Sequence, residues 1–211
     1  MKVALINGSP KISGSASSAI LQDLRSLLEA DSNAICEYHF RKPVVSPTAV
    51  AALSDSDVLV FAFPLYVDGI PSHLLSCLVQ LEQSLAKVNR EITVYAVANC
   101  GFYEGHQNRL AIGMMENWCD KAGLKWGQGI GVGAGGVIAG NQNIPLGYGP
   151  KKNLGKALAR LAQNICQYAN DENLFITANF PKIAYKLAAE MNWWLTAKAN
   201  GLKRRDLSLR K

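Results

Sequence analysis

Apolar and polar positions along this chain follow two periods in turn. Short unbroken apolar runs occur at Val3–Ile6 and Val58–Phe63, a third at Ile92–Ala98 is interrupted only by Thr93, and Ala34–Phe40 and Lys125–Val132 are further short strand-like stretches. Runs of this length, bounded by turn residues, predict strands. Between them the period changes: Ile20, Leu21, Leu24, Leu27 and Leu28 repeat at helical spacing, as do Ile112, Met115, Trp118 and Cys119. Helices are expected over about 15–30, 48–54, 107–122 and 152–169, and over about 71–87 where Pro71 supplies a first-turn residue. The Val58–Phe63 run shows no alternation, so both its faces are buried, as in a central strand of a parallel sheet. Strand and helix alternating five times predict an α/β fold, a doubly wound five-stranded parallel sheet with helices on both faces. This domain is expected to fill residues 1–175, with a C-terminal helix and basic tail over 176–211 packed on it or on a partner subunit.

In such sheets ligands sit beyond the carboxyl ends of the strands, and three of those loops have unusual composition. After the first strand come Asn7-Gly8-Ser9-Pro10, Lys11, and Ser13-Gly14-Ser15-Ala16-Ser17. A strand feeding a Gly/Ser loop that opens a helix gathers unpaired N–H groups and the positive end of the helix dipole at one point. Hydroxyls add donors and Lys11 adds charge, which makes a phosphate cradle. A plain turn with Ser13 or Ser15 as helix cap would need fewer hydroxyls. The string Gly-x-x-x-x-Gly-Lys-Ser/Thr does not follow Gly8, so this is no triphosphate loop. After the third strand, Pro64-Leu65-Tyr66-Val67 offers rigid backbone and a flat side chain against which an aromatic ring can lie. After the fourth, Asn99-Cys100-Gly101-Phe102-Tyr103-Glu104 lets backbone pass close to a ligand between further aromatic walls. No His or acid can be assigned as partner to Cys100, which therefore reads as a small packed residue, and His106 as a helix-start residue.

These segments resemble those of the flavodoxin-like NAD(P)H-dependent FMN reductases. The likeness lies in Asn7-Gly8-Ser9-Pro10 with Gly14-Ser15-Ala16-Ser17, and in Pro64-Leu65-Tyr66-Val67-Asp68-Gly69-Ile70-Pro71-Ser72, which is close to the flavin-contacting loop of that family. The resemblance implies strand order 2-1-3-4-5, bound FMN, NAD(P)H as electron donor, and a small-molecule electron acceptor such as a quinone, an azo or nitro compound, a flavin or a metal. It also implies a homodimer or homotetramer. Ser9, Pro10, Lys11, Ser15, Ala16 and Ser17 would hold the phosphate, with Ala16 contributing backbone alone. Pro64, Leu65, Tyr66 and Val67, with Asn99, Cys100, Gly101, Phe102 and Glu104, would hold the ring. Hydride transfer at flavin N5 calls for no protein acid–base pair. An electron carrier like flavodoxin is the alternative, though such carriers are usually strongly acidic; a non-enzymatic interaction protein on the same fold is another.

Composition narrows the rest. At 49% apolar and 18% charged residues the chain is globular. Five cysteines without CxxC spacing give no disulfide framework, zinc site or cluster-binding run, and a reducing, cytoplasmic setting is expected. No apolar run reaches the length of a membrane span. The net charge of +6 first raises nucleic acid as a partner, but five of those charges fall within Lys198–Lys211, so the body is nearly neutral and nucleic acid is not expected. Gly131-Val132-Gly133-Ala134-Gly135-Gly136 fits the dinucleotide pattern by letter, yet a loop rather than a helix is expected after it, so the stretch is read as a strand end and a mobile loop. In the last segment Ile183, Leu187, Met191, Trp194 and Leu195 recur at helical spacing. That stripe is read as packed on the domain or a partner, with a membrane-surface helix as the alternative.

Overall fold

Among the described residues, six strands lie side by side, all parallel: β1 (Lys2–Asn7), β2 (Ala34–His39), β3 (Val58–Pro64), β4 (Thr93–Asn99), β5 (Lys125–Val132) and β6 (Leu174–Ile176). Their spatial order is β2-β1-β3-β4-β5-β6. The structure, a computed structural model, describes residues 1–29, 33–203, 205 and 206. The expected order 2-1-3-4-5 holds, and the count of five is corrected to six. β6 has only three half-buried residues, too short to show a period, and it forms because Ile130, Gly131 and Val132 offer it an open edge to pair with.

Among the described residues, seven α-helices connect the strands or follow them: α1 (Ala16–Leu28), α2 (Pro47–Ser54), α3 (Ser72–Leu85), α4 (Arg109–Ala122), α5 (Gly135–Gly140), α6 (Lys152–Gln167) and α7 (Lys182–Ala199). Successive strand side chains point to opposite faces, and the core divides accordingly. Ala4, Ile6, Leu59, Phe61, Phe63, Val94 and Ala96 meet α2, α3 and α4. Val3, Leu5, Val58, Val60, Val97, Ile130 and Val132 meet α1, α5 and α6 on the other side. The six residues Val58–Phe63 are fully buried, which at about 1.5–3 kcal/mol per large apolar side chain makes β3 the spine of the sheet. Two buried polar groups are paired here: Trp118 donates from Nε1 to the Leu78 carbonyl at 2.9 Å, and Lys151 meets Asp23 at 2.7 Å, tying the start of α6 to α1.

The chain divides into two units, Met1–Ala178 and Asn179–Lys211. The first contains the sheet and α1–α6. The second contains α7, whose Ile183, Leu187, Met191, Trp193 and Leu195 are exposed. Of the basic tail, Arg204, Arg210 and Lys211 lie outside the described residues.

Candidate functional site

The carboxyl ends of β1, β3, β4 and β5 converge on one cavity of about 170 Å³. From the β1–α1 loop and the start of α1, Ser9, Lys11, Ser15, Ala16 and Ser17 line it. Gly8 allows this loop to turn: its N–H bonds the Ala62 carbonyl at 2.8 Å, and a Cβ there would come within 2.5 Å of Leu74 Cδ2. Asn7 Oδ1 accepts from the Ser9 N–H at 2.9 Å, and Ser9 Oγ from the Lys11 N–H at 3.4 Å. Ser15 is the helix cap, its Oγ accepting from the Ser18 N–H at 3.0 Å. That leaves the N–H groups of Ala16 and Ser17, the first two helical residues, without an intrahelical acceptor at the cavity wall.

Opposite them, Pro64, Leu65 and Tyr66 form the wall from β3. The Leu65 N–H bonds the Asn99 carbonyl at 2.7 Å, and Tyr66 and Gly69 exchange two backbone hydrogen bonds of 3.1 Å. Between them Val67 (φ 48°) and Asp68 (φ 57°) are both left-handed, the geometry of a type I′ turn. A β-branched residue in that region is an outlier of the kind that clusters at ligand clamps.

The end of β4 and the loop after it contribute Asn99, Cys100 and Gly101. Asn99 is buried, and its Nδ2 donates to Ser17 Oγ and to the Phe63 carbonyl, both at 2.9 Å. It thus locks the hydroxyl of one wall to the strand of another. The Cys100 sulfur lies 3.4 Å from Asn108 Nδ2, with the carbonyls of Phe102 and Glu104 at 3.8 and 3.7 Å. Burial pushes its thiol pKa up, so it is held neutral as a packing group. His106, in the turn before α4, stacks edge-on with Phe175 at 5.2 Å.

The fourth wall was not among the expected site residues. Gly135, Gly136 and Ala139 line the cavity, and they belong to α5, where a mobile loop was expected. The residue that precedes the helix, Ala134, is in a left-handed conformation (φ 55°). The Ala134 N–H bonds the Phe102 carbonyl at 2.6 Å and the Gly135 N–H bonds the Cys100 carbonyl at 2.8 Å. The glycine pattern at 131–136 was the available signal, but three glycines among the six residues of α5 disguise a helix that tertiary contacts hold. Among the expected residues, eleven line the cavity. Pro10, Val67, Phe102 and Glu104 belong to the same loops but do not line it; Val67 and Phe102 are exposed.

No protein-family model matches the chain, and no curated protein matches it. Solved structures do. An NADPH-quinone reductase from P. pentosaceus aligns with a TM-score of 0.55 at 15% identity, covering 81% of this chain and 99% of its own. The NAD(P)H:quinone oxidoreductase from Methanothermobacter marburgensis gives 0.55 at 14% identity, with 78% and 96% covered. A flavodoxin from Streptococcus pneumoniae gives 0.56 at 10% identity, with 80% and 100% covered. The fold is flavodoxin-like. Flavodoxin-like architecture places ligands at the strand ends where this cavity lies.

Proposed function

We propose that the protein is an FMN-dependent oxidoreductase that passes reducing equivalents from NAD(P)H to a small acceptor. The observation that carries this reading is the meeting of four loops of different chemistry on one cavity: hydroxyls and a helix start, a proline–tyrosine wall, an Asn–Cys–Gly strand end, and glycine backbone.

The residues present fit such a group. Among the described residues that line the cavity Lys11 alone is charged, beside three serine hydroxyls and the start of α1, a donor set that suits a phosphate dianion. A Cβ added at Gly101 or Gly136 would meet nothing within 4 Å, so both present open backbone. When bound, FMN would supply the hydride and electron chemistry. The chain's own part is to bind and orient: Ser9, Lys11, Ser15, Ala16 and Ser17 hold the phosphate, and Asn99 fixes the Ser17 hydroxyl. Pro64–Tyr66 and Cys100–Gly101 bound the ring, while the backbone at Gly135 and Gly136 closes the floor.

Titration with FMN followed by visible absorption, then anaerobic addition of NADPH or NADH, tests the reading. Binding with bleaching of the flavin is expected. Binding without bleaching by either nucleotide would favour an electron carrier, and absence of binding would overturn the site.

A further inference from the structure

We infer that α7 and the chain around it dock on an anionic phospholipid surface, lying along the membrane rather than through it. The first observation is where the charge resides. Residues 1–178 hold fourteen basic and fourteen acidic side chains; residues 179–211 hold eight basic and two acidic ones. The entire net charge of +6 therefore belongs to the C-terminal unit.

The second observation is what accompanies that charge. Ile183, Leu187, Met191 and Leu195 follow one another at four-residue steps, with Trp194 beside them, and all five are exposed. At this spacing they share one helix face. Lys182, Lys186 and Trp193 run along the adjoining flank. Lys198 holds its Nζ over the Trp194 ring, 5.7 Å from the centroid, so a cation sits on the aromatic face beside the stripe. Glu190 is the single acid of the helix, 3.9 Å from Lys186. Exposed aliphatic side chains and adjacent tryptophans beside lysines on one helix suit the headgroup boundary of a bilayer. Among the described residues no helix is long and apolar enough to cross a membrane.

Charge complementarity selects the occupant. A second copy of this unit would set +6 against +6. Nucleic acid would meet the charge but leave the aliphatic face without a partner. An anionic bilayer satisfies both, taking the lysines at its headgroups and Ile183, Leu187, Met191 and Trp194 below them.

The test is co-sedimentation of the full chain with vesicles of phosphatidylglycerol and phosphatidylcholine in equal parts, against vesicles of phosphatidylcholine alone. Binding to the anionic vesicles that weakens with salt is expected. The exposed triple variant Lys182→Ser, Lys186→Ser, Lys198→Ser should bind about fivefold more weakly per charge removed. Leu187→Asp, at an exposed position outside any core, should abolish binding. No sedimentation with the anionic vesicles would overturn the inference. So would binding that Leu187→Asp leaves unchanged, or tighter binding to duplex DNA that this variant retains. Self-association of the free protein that Leu187→Asp abolishes, with vesicle binding absent, would assign the face to a second copy instead.

Discussion

Two turns in this protein do the same topological job and do it by opposite means. Both leave a strand of the sheet, open a helix and line the same cavity. The β1–α1 loop is rich in hydroxyls and satisfies itself locally: Asn7 accepts from Ser9, Ser9 from Lys11, and Ser15 caps α1. Its helix start therefore keeps donors for a ligand. The β5–α5 turn sends its N–H groups elsewhere, Gly133 to the Ile176 carbonyl, Ala134 to Phe102 and Gly135 to Cys100. Its glycines serve close backbone approach, and it has no side-chain cap. One loop is built to offer donors; the other is built to be a wall.

The largest effect should come from putting the same methyl group into each. At Gly133 a Cβ would fall on the Tyr103 carbonyl and within 2.7 Å of the Gly105 N–H, both backbone. At Gly8 the nearest atom is the flexible end of Leu74. Gly133→Ala should therefore destabilise by about 3 kcal/mol or more and Gly8→Ala by about 1 kcal/mol, read as denaturant midpoints at constant slope. Equal losses would break the distinction between the two turns.

The same contrast explains what the sequence could and could not reveal. Hydroxyls, glycine and proline around Ser9 and Ser15 act through local chemistry, so they are legible from neighbouring residues. The wall at Gly135 and Gly136 exists because Phe102 and Cys100, some thirty residues earlier, accept its hydrogen bonds; no local pattern encodes that. β6 is invisible for a related reason: it pairs with an edge of β5 that only the assembled sheet creates. Asn99 sits between these cases, recognisable as a strand-end residue, while its grip on Ser17 belongs to the folded state alone.

A finer separation comes from the ligand side. Ser17→Ala removes the hydroxyl that Asn99 holds at 2.9 Å, and a buried hydrogen bond of this kind contributes about 1 kcal/mol. FMN affinity should fall by about tenfold while riboflavin, which lacks the phosphate, binds as before; equal losses for both would remove this loop from phosphate binding. A third turn at the same rim combines local and distant causes. Val67 is exposed and left-handed, so Val67→Asn should raise stability by about 1 kcal/mol by relieving backbone strain without losing packing. Thermal unfolding would show it, and a loss of stability would mean that the Val67 side chain is needed where it stands.

The smallest effect is a control remote from both turns. Asp171 is gripped by Arg160 at 2.6 and 2.7 Å and by Asn164 at 3.1 Å, and these partners, Arg160 first, hold its carboxyl below the usual carboxylate range. A carboxylate with a depressed folded-state pKa stabilises fully above its unfolded value, and the contribution is lost as pH falls through the folded one. The stability gap between the parent and Asp171→Asn should thus be constant at neutral pH and close only at pH values below about 3.9, the ordinary aspartate value. Asp171 is partly exposed and its partner Arg160 is exposed, so the gap itself should be small and reduced by salt. FMN binding should follow the parent throughout. A shift in affinity with Asp171→Asn would mean that the 164–171 segment communicates with the cavity, and the division of labour between the two turns would then extend across the sheet.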